Sequence, residues 1–328
     1  MADLNYAVEY SRALADAFPY VLNFGKLYAT PNNGTYKWVN AKTIEIPHIT
    51  TTGRVNADRD NIGSKSRNYD NSWETKVLKN ERKWDTLVHP KDVDQTNMVA
   101  SIANITKSFN EFQKFPEMDA YCISKIYADW LTTTDPVTGT YRAPDTTELT
   151  ISNVLAVFDQ LMLEMDNERV PAQGRILYCT HEVKKLLKNA DKISRQIDVT
   201  SNNGVIDRVV SRLDEVEVIG VPAVLMKTAY KFTTGWAVAP TAKQINMCLI
   251  HPSAVITPVS YAFARLDPPS AMSDGKYAYY EESFEDVFVL NYRAGAIKFN
   301  ITEGSTSTST STSTSTSTST STSTSTGQ

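Results

Sequence analysis

Residues 42–90 constrain this chain more than any other stretch. They read as two extended arms, 42–60 and 73–90, joined by a charged, glycine-containing tip. Each arm is rich in β-branched and aromatic residues and is bounded by Pro, Gly, Asn and Asp. At about 3.3 Å per residue, an 18-residue arm would reach roughly 60 Å, wider than an ordinary domain core. An isolated two-stranded ribbon is marginal in water, and this one is too charged to fold over a core of its own. Something outside its own domain must cover it, which points to a subunit made for assembly. On an ordinary protein the mixed-sign tip would be a solvated loop. At the end of such long arms, Arg54, Arg59, Lys65 and Arg67 are placed to meet a neighbour, with Trp73 and Trp84 on the return arm as packing anchors.

The rest of the chain supplies a body. Its 328 residues are 41% hydrophobic and 21% charged, enough for a sizeable core. A net charge of −4 argues against a strongly basic nucleic-acid-binding face and leaves room only for a local patch. Cys122, Cys179 and Cys248 lie far apart in apolar runs, an odd number without metal or redox spacing. They predict reduced, buried thiols and folding in a cytosol. The first residues lack the basic and apolar regions of a signal peptide, and no apolar run is long enough to span a membrane, so no membrane partner is expected.

From Asp94 the apolar period changes from two to about 3.6. Met98, Ile102, Ile105, Phe109 and Phe112 fall on one face of a helix of about 20 residues. Pro116 is expected to break or kink it and to sit at the start of a second helix carrying Tyr121, Ile123, Ile126, Tyr127 and Trp130. A turn-rich connector at 132–147 is the best candidate for a subdomain boundary. Beyond it helix and strand alternate. One helix carries Val154, Val157, Phe158, Leu161, Met162 and Met165, capped by Ser152 or Asn153. Another, capped by Thr180, carries Val183, Leu186, Leu187 and Ala190. Strands are expected at 175–179, 206–210, 216–219, 221–226, 236–238, 245–250, 277–280 and 286–301. A short helix near Asp3 and an extended arm at 20–33 precede the ribbon, giving an α+β chain overall. The Ser-Thr repeat at 305–326 has nothing to bury and is expected to be disordered.

Catalytic signatures are missing from the sequence: no glycine-rich phosphate loop, no nucleophile elbow and no zinc-protease helix. His48, His89, His181 and His251 are scattered, so neither a metal nor another cofactor is expected. Cys179 and His181 are two residues apart, but a strand residue and a helix-start residue rarely converge, and no third group orients them. Glu281, Glu282, Glu285 and Asp286 lack the glycine turn of a calcium loop and read as a solvated strand entry.

In order, these elements resemble the major capsid protein of tailed bacteriophages, with its Hong Kong 97-like fold. The matching features are an N-terminal arm, a long hairpin (the extended E-loop) and a spine helix from Asp94. After these come a mixed domain containing Val218-Ile219-Gly220-Val221-Pro222-Ala223-Val224, then Cys248-Leu249-Ile250-His251-Pro252-Ser253-Ala254-Val255. The match closes with Asp286-Val287-Phe288-Val289-Leu290-Asn291-Tyr292-Arg293-Ala294-Gly295-Ala296-Ile297. The order of elements carries the resemblance, since no single motif decides it. It implies an N-terminal arm at 1–41, the E-loop at 42–93, and the spine helix with part of a peripheral domain at 94–147. A mainly axial domain follows at 148–250, peripheral strands at 251–304 and the tail at 305–328. It further implies a non-enzymatic shell protein of the virion, assembled in the host bacterial cytoplasm. Such a protein forms hexamers and pentamers with itself around packaged double-stranded DNA, without sequence-specific recognition. A separate scaffolding protein, a portal and a maturation protease would be its partners. Lys65 is the only lysine at the tip, and without an assignable acceptor it is not expected to cross-link. The alternatives are an encapsulin-like bacterial nanocompartment shell and, in a different class, a surface or tail adhesin suggested by the Ser-Thr repeat.

Overall fold

The computed structural model describes residues 21–56, 67–95, 101–135, 138–190 and 212–302. The expectations for the helix near Asp3, for Met98, Arg59 and Lys65, for the strand at 206–210 and for the Ser-Thr repeat lie outside these residues.

In chain order, α1 (Gly25–Tyr28) leads to β1 (Lys37–Asn40), β2 (Thr43–Thr51), β3 (Tyr69–Val77) and β4 (Glu81–Val88). Helices α2 (Pro90–Gln95), α3 (Ile102–Phe109) and α4 (Phe115–Leu131) follow, then α5 (Val154–Asn167), β5 (Ile176–Thr180) and α6 (His181–Asn189). The remainder is β6 (Arg212–Leu213), β7 (Val216–Val221), β8 (Tyr230–Lys231), β9 (Ala237–Val238), β10 (Gln244–Ile250) and β11 (Val255–Ile256). It ends with β12 (Val259–Asp267), β13 (Tyr277–Glu285), β14 (Phe288–Val289) and β15 (Ile297–Thr302).

The body is a five-stranded sheet in the order β15-β10-β5-β7-β6, in which β5 and β7 run parallel and the other neighbours antiparallel. Its central strands are continuous apolar runs because helices cover both faces. Ile176, Tyr178, Cys248, Ile250 and Phe299 point to one face, where Ile123, Ile126 and Trp130 of α4 and Phe24 and Leu27 from the N-terminal side close the core. Leu177, Cys179, Met247 and Leu249 point to the other, under Val154, Phe158, Leu161 and Met165 of α5 and Val183 and Leu187 of α6. The expected cap of α6 is present: Thr180 Oγ1 accepts from Val183 N at 3.3 Å. The expected strand at 221–226 is instead the end of β7 followed by a 3-10 turn at Ala223–Leu225.

The spine helix departs from its expected form. Asp94 lies in the short helix α2, and α3 begins at Ile102 after its cap Ser101, whose hydroxyl accepts from Asn104 N. Helix α3 then runs through a π turn (Asn110–Lys114) directly into α4, so Pro116 does not break the helix, and it sits, as expected, in the first turn of α4. Pro116 has no N–H to offer and would crowd the carbonyl of Phe112 in a regular turn, and the wider π turn in front of it relieves both problems. The extra residue also rotates the following side chains, which leaves Phe112 exposed although its spacing puts it on the buried face.

The ribbon is shorter than expected, and its return arm belongs to two sheets. β2 and β3 pair antiparallel from Thr43↔Val77 to Thr51↔Tyr69, with β1 on the outer edge of β2. Each paired arm has nine residues, about 30 Å. The chain then leaves the hairpin: Leu78 is buried with Ile44, Ile256, Phe284, Phe288 and Leu290. β4 pairs with β13 in a second sheet ordered β12-β13-β4.

Candidate assembly surface

The hairpin is fixed to the body at its base and open along its length. Asp286, fully buried, accepts from Lys79 N (2.8 Å), Tyr121 Oη (2.7 Å) and Val287 N (2.8 Å). One carboxylate thereby fastens the exit of the hairpin, the spine helix and the end of β13. Burial, with Asp286 alongside, raises the Tyr121 phenol well above its ordinary value, so it remains a donor. Further out, His48 of β2 stacks on Tyr292 at 3.3 Å between ring centroids, and Lys76 Nζ lies 3.3 Å from Asn291 Oδ1. Between the hairpin base and the body is a cleft of about 1190 Å³ lined by Trp73, Arg142, Glu168, Tyr292 and Arg293 among others.

Along its length the hairpin also shows large apolar side chains to solvent. Trp73, opposite Pro47, is 49% exposed, Ile49 65% and Val55 91%, and Tyr69 is also exposed. Exposed apolar surface of this extent on a thin ribbon is the mark of an interaction surface. Arg54 is exposed just past β2. Arg67 lies just before β3, its guanidinium 3.2 Å from Asp70 and 5.2 Å from the Tyr69 ring centre.

Trp84 is placed differently from the other ribbon candidates. It belongs to β4 and stacks on Phe109 of the spine helix, with centroids 3.9 Å apart and planes 6° from parallel. Its partner is thus inside the subunit. A second apolar surface, unread in the sequence, is β12, where Tyr261, Phe263 and Leu266 are exposed on a strand that, among the described residues, pairs only with β13. Its alternation of small and aromatic residues could have flagged it as a half-exposed edge strand.

The residues weighed for chemistry do not converge. Cys179 is buried in β5, and burial pushes its thiol up to about 12, far from a nucleophile at neutral pH. His181 is exposed at the start of α6. The acidic residues of 281–286 have separate partners: Glu281 takes Lys114 and the Tyr279 hydroxyl, Glu282 the Tyr280 hydroxyl, and Asp286 the three donors above. Burial raises the Glu285 carboxyl above its usual range. Among the described residues no group of three or more His, Cys, Asp or Glu is placed to hold a metal, and no helix is long and apolar enough to cross a membrane.

No family model matches the sequence, and no curated protein sequence does. Solved structures do match. The asymmetric unit of the bacteriophage PhiM1 mature capsid aligns with a TM-score of 0.61 at 12% identity, over 80% of this chain and 82% of that one. The capsid of cyanophage P-SCSP1u aligns at 0.60 and 11% identity, over 88% and 90%. A chain of Mycobacterium phage Che8 aligns at 0.58 and 12% identity, over 88% and 93%. At such identities the likeness is one of fold, and the fold this chain has is that of phage capsid subunits.

Proposed function

We propose that this chain is the major capsid protein of a tailed phage. It assembles with itself as hexamers and pentamers into an icosahedral head around double-stranded DNA and resides in the virion. The reading rests on one observation: the capsid fold extends over four fifths or more of this chain and of each compared chain. The hairpin supports it, because an open ribbon with exposed Trp73, Ile49 and Val55 needs a neighbour to cover it. In this proposal Arg54, Arg59, Lys65, Arg67 and Trp73 are read by the adjacent subunit, whereas Trp84 locks β4 onto the spine helix. A separate scaffolding protein, a portal and a maturation protease complete the assembly.

Negative-stain microscopy of the protein co-expressed with the scaffolding protein of its own phage tests the proposal. Closed shells are expected, and shells isolated from infected cells should contain DNA. Elongated trimers or a persistent monomer would overturn it, and a protein cargo in place of DNA would favour the nanocompartment. Uniform full-size shells from the purified chain alone would sink the separate scaffold and leave the rest intact.

A further inference from the structure

Several cations of the body are paired where they stand. Lys26 pairs with Glu217, Arg82 with Glu117, Lys114 with Glu281, Lys125 with Asp129, Arg142 with Glu168, Arg175 with Asp166, and Lys298 with Glu164 and Glu168. Helix α6 gathers its lysines side by side. Its His181, Lys184, Lys185 and Lys188 line one shallow concavity, and among the described residues none of the three lysines has an ion-pair partner.

The pattern is written into the helix. At about 100° per residue, positions 181, 184, 185 and 188 fall within an arc of roughly 100°, opposite the buried Val183 and Leu187. Two of these side chains pack closely on Gly220 of β7. A side-chain carbon at 220 would come within 2.8 Å of His181 Nδ1 and 3.1 Å of Lys184 Cδ. Gly220 thus lets both side chains lie down along the sheet.

We infer that this face of α6 binds the phosphate backbone of double-stranded DNA and is turned toward the packaged genome. The choice of DNA over another anionic partner rests on the proposed shell function; the anion-binding face itself does not. Lysines are compact point charges that attract phosphate without demanding the planar, bidentate geometry of arginine. Beside His181 the stripe holds no Phe, Tyr, Trp or large apolar residue to read a base or a protein pocket, so the contact is independent of sequence. That suits a partner that presents every register. From 181 to 188 the helix rises about 10 Å, a length over which a duplex offers several phosphate charges.

Anisotropy of a labelled duplex of about 20 base pairs with the unassembled full-length subunit, across roughly 50–200 mM salt, tests the inference. The triple variant K184Q/K185Q/K188Q should lower the slope of log K against log salt by about 2–3, since each phosphate contact carries about 0.9. A control triple at Lys107, Lys227 and Lys276 should leave the slope unchanged. Lys185 and Lys188 are exposed and Lys184 is half-buried without an ion pair among the described residues, so the thermal midpoint should move little. An unchanged slope, no duplex binding by the wild type, or polyglutamate binding at this face that duplex cannot displace would each overturn the inference. The shell reading is judged separately, by microscopy. Shells with an unchanged slope sink only the DNA face, and a lost slope without shells sinks only the shell.

Discussion

At the scale of residues, a cluster of charges beside β15 holds the end of α5. Arg142 grips Glu168 through two nitrogens, at 2.7 and 2.6 Å, and Lys298 reaches the same carboxylate at 2.8 Å. The approach is so close that a side-chain carbon on residue 295 would lie 1.7 Å from Glu168 Oε2, so only glycine fits there. Burial alone would push the Glu168 carboxyl up, but Arg142 and Lys298 outweigh it and hold the group below its ordinary 4.5. A depressed folded value means that the stabilisation is complete above pH 4.5 and is lost as pH falls through the lower folded value. Glu168→Gln should therefore cost about 3 kcal/mol at pH 7, by stranding buried cations, and the gap from wild type should close in acid. Urea unfolding at pH 7 and at pH 3 measures both; a gap that does not change with pH would refute the pairing. None of this was legible in the sequence, because Arg142, Glu168 and Lys298 stand on three separate elements and nothing local marks them as partners.

At the scale of elements, periodicity was a good guide to kind and a poor one to ends. The apolar stripe at 102, 105 and 109 is a helix, and the runs at 176–180 and 245–250 are buried strands. The π turn before Pro116 escaped notice because a wide turn leaves no signature except the misfit of Phe112, which spacing alone reads as buried. The division of the return arm escaped it too, since both β3 and β4 carry strand-like residues and only their partners tell them apart. Asp286 makes that division by taking the amide of Lys79 between them. Asp286→Ala would leave two amides and a phenol short of an acceptor, at a cost of about 3 kcal/mol or more. Exchange of the Lys79 amide should accelerate in step. Unfolding and hydrogen exchange check the pair, and an unchanged Lys79 amide would show that the junction is held by the Leu78 cluster alone.

At the scale of the whole molecule, the hairpin is an arm without a cover, attached to a body whose sheet is covered on both faces. Its exposed tip should matter to neighbours and not to the subunit's own fold. Replacing Arg54, Arg59 and Arg67 by Glu should leave thermal stability within about 0.5 kcal/mol of wild type and impair shell formation. Normal shells under the microscope would reduce the tip to a solvated loop. By itself the sequence determined the kind of most of the larger elements and that an arm lies open. Periodicity records which face of each element is apolar, and an excess of exposed apolar residues on a ribbon is a local property. Only the tertiary structure decided that β4 joins β13, nearly two hundred residues later, and that Trp84 therefore packs on Phe109 while Trp73 remains open. Pairing depends on shape and hydrogen-bond register between strands far apart in the chain, and neither is written in the spacing of residues within one of them.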